Sequence, residues 1–148
     1  MKKQSFRIFL MFVALSLFAA INIHAQSSSR QTANIPFSFN VEGKSFPAGL
    51  YSVTRLNPQS DKAVLMIKSA DGKVSKVVIT QPVQAGGPQE SAKLIFSRYG
   101  DDYFLSQVWT PADNTGLELP KSRAEKTVAR NAQGAPERMS IALNSDRR

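Results

Sequence analysis

The sequence predicts a mainly β fold: one antiparallel meander of about six or seven strands, closing as a small barrel or a sandwich, with one short C-terminal helix. Three observations predict it. Apolar and polar residues alternate strictly over several short stretches, turn signals separate those stretches at roughly ten-residue spacing, and only one segment has helical composition.

The chain opens differently. Met1 to Arg7 carries Lys2, Lys3 and Arg7 with no acid, Ile8 to Ala20 is apolar apart from one serine, and Ile23-His24-Ala25 sets a small residue before Gln26. These are the three parts of a secretory signal, and cleavage is expected after Ala25. The apolar run falls short of the roughly 20 residues that span a bilayer, so no stable membrane insertion is expected after cleavage. The expected division is a cleaved signal at 1–25, a flexible segment at 26–31, a β-rich domain at 32–130 and a tail at 131–148. The expected address is the periplasm or the extracellular space.

From Thr32 the alternation begins. Ile35, Phe37, Phe39 and Val41 share one face of a strand, and Pro36 belongs near its start or on an edge because it cannot donate to a ladder. Phe46-Pro47-Ala48-Gly49 reads as a turn leading into a strand over residues 50–56. Val64-Leu65-Met66-Ile67 is a continuous apolar run, expected to be buried on both sides. Asp71-Gly72 signals a type I′ hairpin, with the return strand over 74–80. Residues 82–90 read as a loop around Gly86-Gly87-Pro88. A strand over 93–99 turns at Gly100-Asp101-Asp102 into another over 103–110, and Pro111 to Thr115 breaks it. Pro120 precedes the helical segment 121–130, where Ser122 as cap and Glu125 three residues on form a capping box. Met139, Ile141 and Leu143 alternate with polar or small residues, the pattern of a last edge strand.

Composition excludes much chemistry. There is no cysteine, and the only histidine, His24, lies in the expected signal. The remainder therefore lacks the side chains of Ser-His-Asp and Cys-His sites and of the usual zinc, haem and iron–sulfur ligand sets. No cofactor is expected. The whole chain carries a net charge of +8, but three bases leave with the signal and the rest are scattered. Scatter argues against a nucleic-acid groove, which concentrates its cations in a stripe.

Carboxylates and aromatics remain. Asp101-Asp102 is the most visible acidic pair, yet neighbours on a strand point to opposite faces and aspartate favours turns. Most aromatics read as core. Tyr99 and Tyr103, flanking the Gly-Asp-Asp tip as cross-strand partners, and Trp109 near a strand end are the candidate binding-surface residues.

The stretches IPFSFNVEGKSFPAGLYSV (35–53), FSRYGDDYFLSQVW (96–109) and LPKSRAEKTVAR (119–130) resemble a family of small secreted β-rich proteins from environmental Gram-negative bacteria. The resemblance spans residues 32–130. It implies one exported β-rich domain and carries no catalytic residue across. The expected function is a non-catalytic binding or structural module of the envelope or extracellular space, acting on an unidentified protein or envelope ligand. The alternatives are a carboxylate-based glycan hydrolase and a secreted protein inhibitor of another enzyme.

Overall fold

The computed structural model describes residues 30–57, 60, 63–132 and 134–145. The expected signal, most of the 26–31 segment and the last three residues lie outside the described residues.

Among the described residues, twelve strands form two sheets rather than one meander, with one helix beside them, and neither sheet closes into a barrel. The first sheet runs β12 (Asn144–Ser145), β1 (Arg30–Ile35), β4 (Gly49–Arg55), β5 (Val64–Ser69) and β6 (Ser75–Ile79). The second runs β11 (Glu137–Ala142), β8 (Lys93–Tyr99), β9 (Asp102–Trp109), β10 (Thr115–Glu118) and β7 (Gln81–Gln84). The hairpin of β2 (Phe39–Val41) and β3 (Lys44–Phe46) joins the second sheet through a parallel contact, Asn40 opposite Phe104. That contact makes the sheet mixed. It arises because β10 covers β9 only at Gln107 and Val108, which leaves the Phe104 end of the same edge open.

The long alternation from Thr32 is not one strand. It bends at residues 36–38, so β1 and β2 lie in different sheets. Pro36 cannot extend a ladder, and the bend there leaves Ile35, Phe39 and Val41 all facing the core. Phe37 seals the corner, stacked on Tyr103 at 4.1 Å and edge-on to Phe96 at 5.2 Å. Three further corners pass the chain between sheets, the first at Pro47-Ala48 between β3 and β4. Thr80, fully buried between β6 and β7, bonds twice to the Ala63 carbonyl, through its amide at 2.9 Å and its hydroxyl at 2.8 Å. Buried Leu143, between β11 and β12, donates its amide to the Ala92 carbonyl.

One apolar core joins the two inner faces. At its centre Phe39 stacks on Phe46 and meets Tyr51 and Phe96 edge-on at 5.1 and 5.4 Å, so a ring from the first sheet interlocks with three from the second. Such ring pairs are worth about 0.5–1.5 kcal/mol each beyond their buried area. The Tyr51 hydroxyl, which burial would otherwise orphan, donates to the Pro47 carbonyl at 2.5 Å.

Several local expectations are corrected. The type I′ turn sits at Glu42-Gly43, both at positive φ (45° and 83°), in the two-residue loop between β2 and β3. Asp71 keeps negative φ. There Gly72 N–H bonds to Ser69 O, closing a turn over Ala70 and Asp71, and Gly72 alone enters the left-handed region at 73°. The Asp71 carboxylate stabilises that turn by accepting from the Ser69 hydroxyl and the Lys73 amide, and these bonds hold its pKa below the ordinary carboxylate value. The Val64–Ile67 run is buried on one face only. Leu65 and Ile67 are core, whereas Val64 and Met66 join exposed Val77 and Ile79 on the outer face of the first sheet. Residues 82–84, expected as loop, belong to the edge strand β7, and Pro82 is tolerated there because an edge amide needs no partner. Thr115, expected to end the break from Pro111, opens β10, after Asp113 closes an Asx turn onto the Thr115 amide at 2.8 Å. The tail supplies β11, six residues paired along β8.

The helix α1 (Arg123–Asn131) begins where its cap predicts, with Ser122 Oγ accepting from Glu125 N–H at 3.1 Å. Glu125 turns inward instead of back toward the cap. It is 4% exposed, and its Oε1 has no hydrogen-bond partner.

Candidate functional site

The outer face of the second sheet carries the candidate site, and a β-bulge builds it. Ile95 pairs with Gln107 and Phe96 with Leu105, so Ser106 is an extra residue on β9. A bulge breaks strict alternation, and here Ser106 and Gln107, adjacent in sequence, both line one recess of about 260 Å³. Ser106 is held there by its hydroxyl bond to the Ile95 carbonyl at 2.9 Å. Ser97 on β8, Arg138 opposite it on β11, and Glu118 on β10 complete the floor. Lys121 and Pro120, on the segment leading into α1, form the wall.

Gln107 is the hub. Its Oε1 accepts from Trp109 Nε1 at 3.1 Å and its Nε2 donates to Glu118 Oε1 at 3.3 Å, which fixes the orientation of a buried amide from both ends. Beside this recess lies a second, of about 370 Å³, lined by Gln84, Gln89, Lys93 and Trp109. The two share Gln107 and Arg138, so they form one groove across the sheet face.

The groove sets amides, hydroxyls and charged groups beside apolar Val83, Ile95, Leu119 and Pro136, and it has an excess of cations. Lys93, Lys121 and Arg138 line it against the single carboxylate of Glu118, and none of the three forms a salt bridge among the described residues. Burial raises the pKa of nearby Glu125 above its ordinary value; the Lys121 charge opposes that rise and the Glu118 charge adds to it. Glu125 is not part of the groove lining.

The aromatics singled out in the sequence are placed as follows. Trp109 is 6% exposed and lies flat over Gly116, where a Cβ would stand 2.6 Å from the ring. It walls the groove but presents no open stacking face. Tyr99 is also 6% exposed; it packs edge-on to Phe104 at 5.9 Å, and its buried hydroxyl has no hydrogen-bond partner. Tyr103 is not its cross-strand partner. Tyr103 lies opposite Arg98, which sits 5.4 Å over its ring, and points to the inner side against Phe37. The two-residue offset across the Gly100-Asp101 turn separates the tyrosines onto opposite faces. Asp101 and Asp102 are exposed at that hairpin tip and do not line the groove.

Sequence reasoning missed Ser106, Gln107 and Arg138. One signal was present: in Tyr103-Phe104-Leu105-Ser106-Gln107-Val108 the apolar inner positions step from Leu105 to Val108, three residues rather than two.

Among the described residues no three His, Cys, Asp or Glu side chains gather as a metal site requires, and no helix is long and apolar enough to cross a membrane. Compared with protein-family models, curated proteins and solved structures, the chain finds no match.

Proposed function

We propose that this chain is an exported, non-catalytic binding module that holds a polar ligand in the groove over β8, β9, β10 and β11. The observation that carries the reading is the bulge-built floor, where the Trp109–Gln107–Glu118 chain presets an amide in a recess that Ser97 and Ser106 also line. Preset polar groups in a shallow recess favour binding because little side-chain freedom is lost on contact. A hydrolytic reading needs two carboxyl groups facing one bond. Here Glu118 is engaged by Gln107, and Glu125 lies outside the lining.

The test passes a panel of oligosaccharides and peptides over the immobilised protein and analyses both the retained material and the flow-through by mass spectrometry. A ligand retained intact by wild type, and lost when Ser106→Trp fills the recess without lowering the melting temperature, is the expected result. Cleavage products that appear with wild type and vanish in Glu118→Gln would overturn it. Export is checked separately: the intact mass of protein from its native host should correspond to a chain beginning at Gln26.

A further inference from the structure

Resting on the binding-module reading, we infer that the ligand of this groove is an acidic oligosaccharide, a chain of sugars bearing carboxylates. Two features of the lining point there together. The first is its neutral polar set: Ser97, Ser106, Gln81 and Gln107 in one recess, Gln84 and Gln89 in the other. Amides and hydroxyls each offer both donors and acceptors, which is what a run of sugar hydroxyls, themselves donor and acceptor at once, can satisfy. The second is the unpaired charge. Arg138 lines both recesses, Lys121 lines one and Lys93 the other. Three cations spread along a groove suit a ligand whose anions repeat along its length, and a guanidinium matches a carboxylate with two parallel hydrogen bonds.

An acidic peptide shares the charge but not the rest. An extended peptide is held chiefly by main-chain bonds to a free sheet edge, with pockets for alternate side chains. This groove runs across the strands, from β11 at one edge of the sheet to β7 at the other, rather than along an edge, and its neutral polar groups are side-chain amides and hydroxyls. Of the two edge strands that line it, β7 contains Pro82, which removes a donor.

The experiment is calorimetric titration of the purified protein with tetragalacturonate, neutral galactotetraose and tetraglutamate. Emission from Trp109, the only tryptophan, serves as a second readout inside the groove. Tetragalacturonate should bind, with affinity falling about tenfold in Arg138→Gln and similarly in Lys121→Gln, the scale of one lost charge-assisted hydrogen bond. Galactotetraose should bind at least about tenfold more weakly on the same argument. Affinity for the acid should also fall as salt rises. Both cations are exposed, and unchanged melting temperatures will confirm that the variants are folded. Equal binding of the neutral and acidic sugars overturns this inference and leaves the binding-module reading standing. Binding of tetraglutamate without tetragalacturonate overturns it in favour of a peptide ligand. No response to tetragalacturonate also overturns it, and the broader panel then decides whether the groove binds anything at all.

Discussion

Gly116→Ala is the perturbation whose consequence follows most directly from the geometry. The added methyl would stand 2.6 Å from Trp109 Cδ2 and Cε2 and 2.7 Å from Cε3, well inside van der Waals contact. The ring cannot easily retreat, because it is buried and its Nε1 is tied to Gln107. Overpacking of this kind costs about 1–3 kcal/mol. Alanine recovers about 0.4–1 kcal/mol by restricting the unfolded chain. If the ring shifts, the Trp109–Gln107 bond goes as well, worth about 1 kcal/mol. The net expectation is a loss of about 2 kcal/mol, or a melting temperature lower by roughly 8 °C for a domain of this size. Thermal unfolding followed by circular dichroism measures it, and Trp109 emission should shift to the red as the ring is displaced. In a Trp109→Ala background the clash disappears, so adding Gly116→Ala there should cost almost nothing; the coupling isolates the contact. An unchanged melting temperature and emission spectrum in the single variant would refute the packing described here.

Two further outcomes are expected. Glu125 holds its proton more tightly in the folded chain than in the unfolded one, chiefly through burial, so the folded state binds more protons and stability falls as pH rises from the ordinary glutamate pKa of about 4.3. Glu125→Gln cannot ionise, so its stability relative to wild type should increase from pH 4 to pH 7, measured by denaturant unfolding; a gap that does not change with pH argues against a buried carboxyl. Gly43→Ala places a Cβ in open space but at φ 83°, so it should cost about 1 kcal/mol from backbone conformation alone, and no loss in urea unfolding would remove the type I′ turn from Glu42-Gly43.

Much of the chain's local structure was legible in its residues, because the forces that set it act over a few positions. Apolar stretches bounded by turn signals marked the strands at 49–55, 93–99 and 102–109 within a residue or two, and Ser122 with Pro120 marked the helix start, since turn, cap and proline effects are local. The mainly β class followed from the same signals. What alternation cannot encode is which sheet a strand joins, because a buried face looks the same against either partner. The single run from Thr32 to Val41 therefore split between two sheets, and only the packing of Phe37 against Phe96 and Tyr103 placed the corner. The same limit hid β7, β10 and β12, which are two to four residues long and held by partners distant in sequence: β7 and β10 by each other, and β12 by β1. The groove belongs to this second category. Ser106 and Gln107 came to one face through a bulge, and Glu118, Lys121 and Arg138 reached them from other segments. The sequence by itself determined that histidine and cysteine chemistry is absent after residue 25 and that a β domain follows. The tertiary structure alone decided where its polar side chains converge, because convergence depends on strand order and register, which are set by long-range burial rather than by neighbours along the chain.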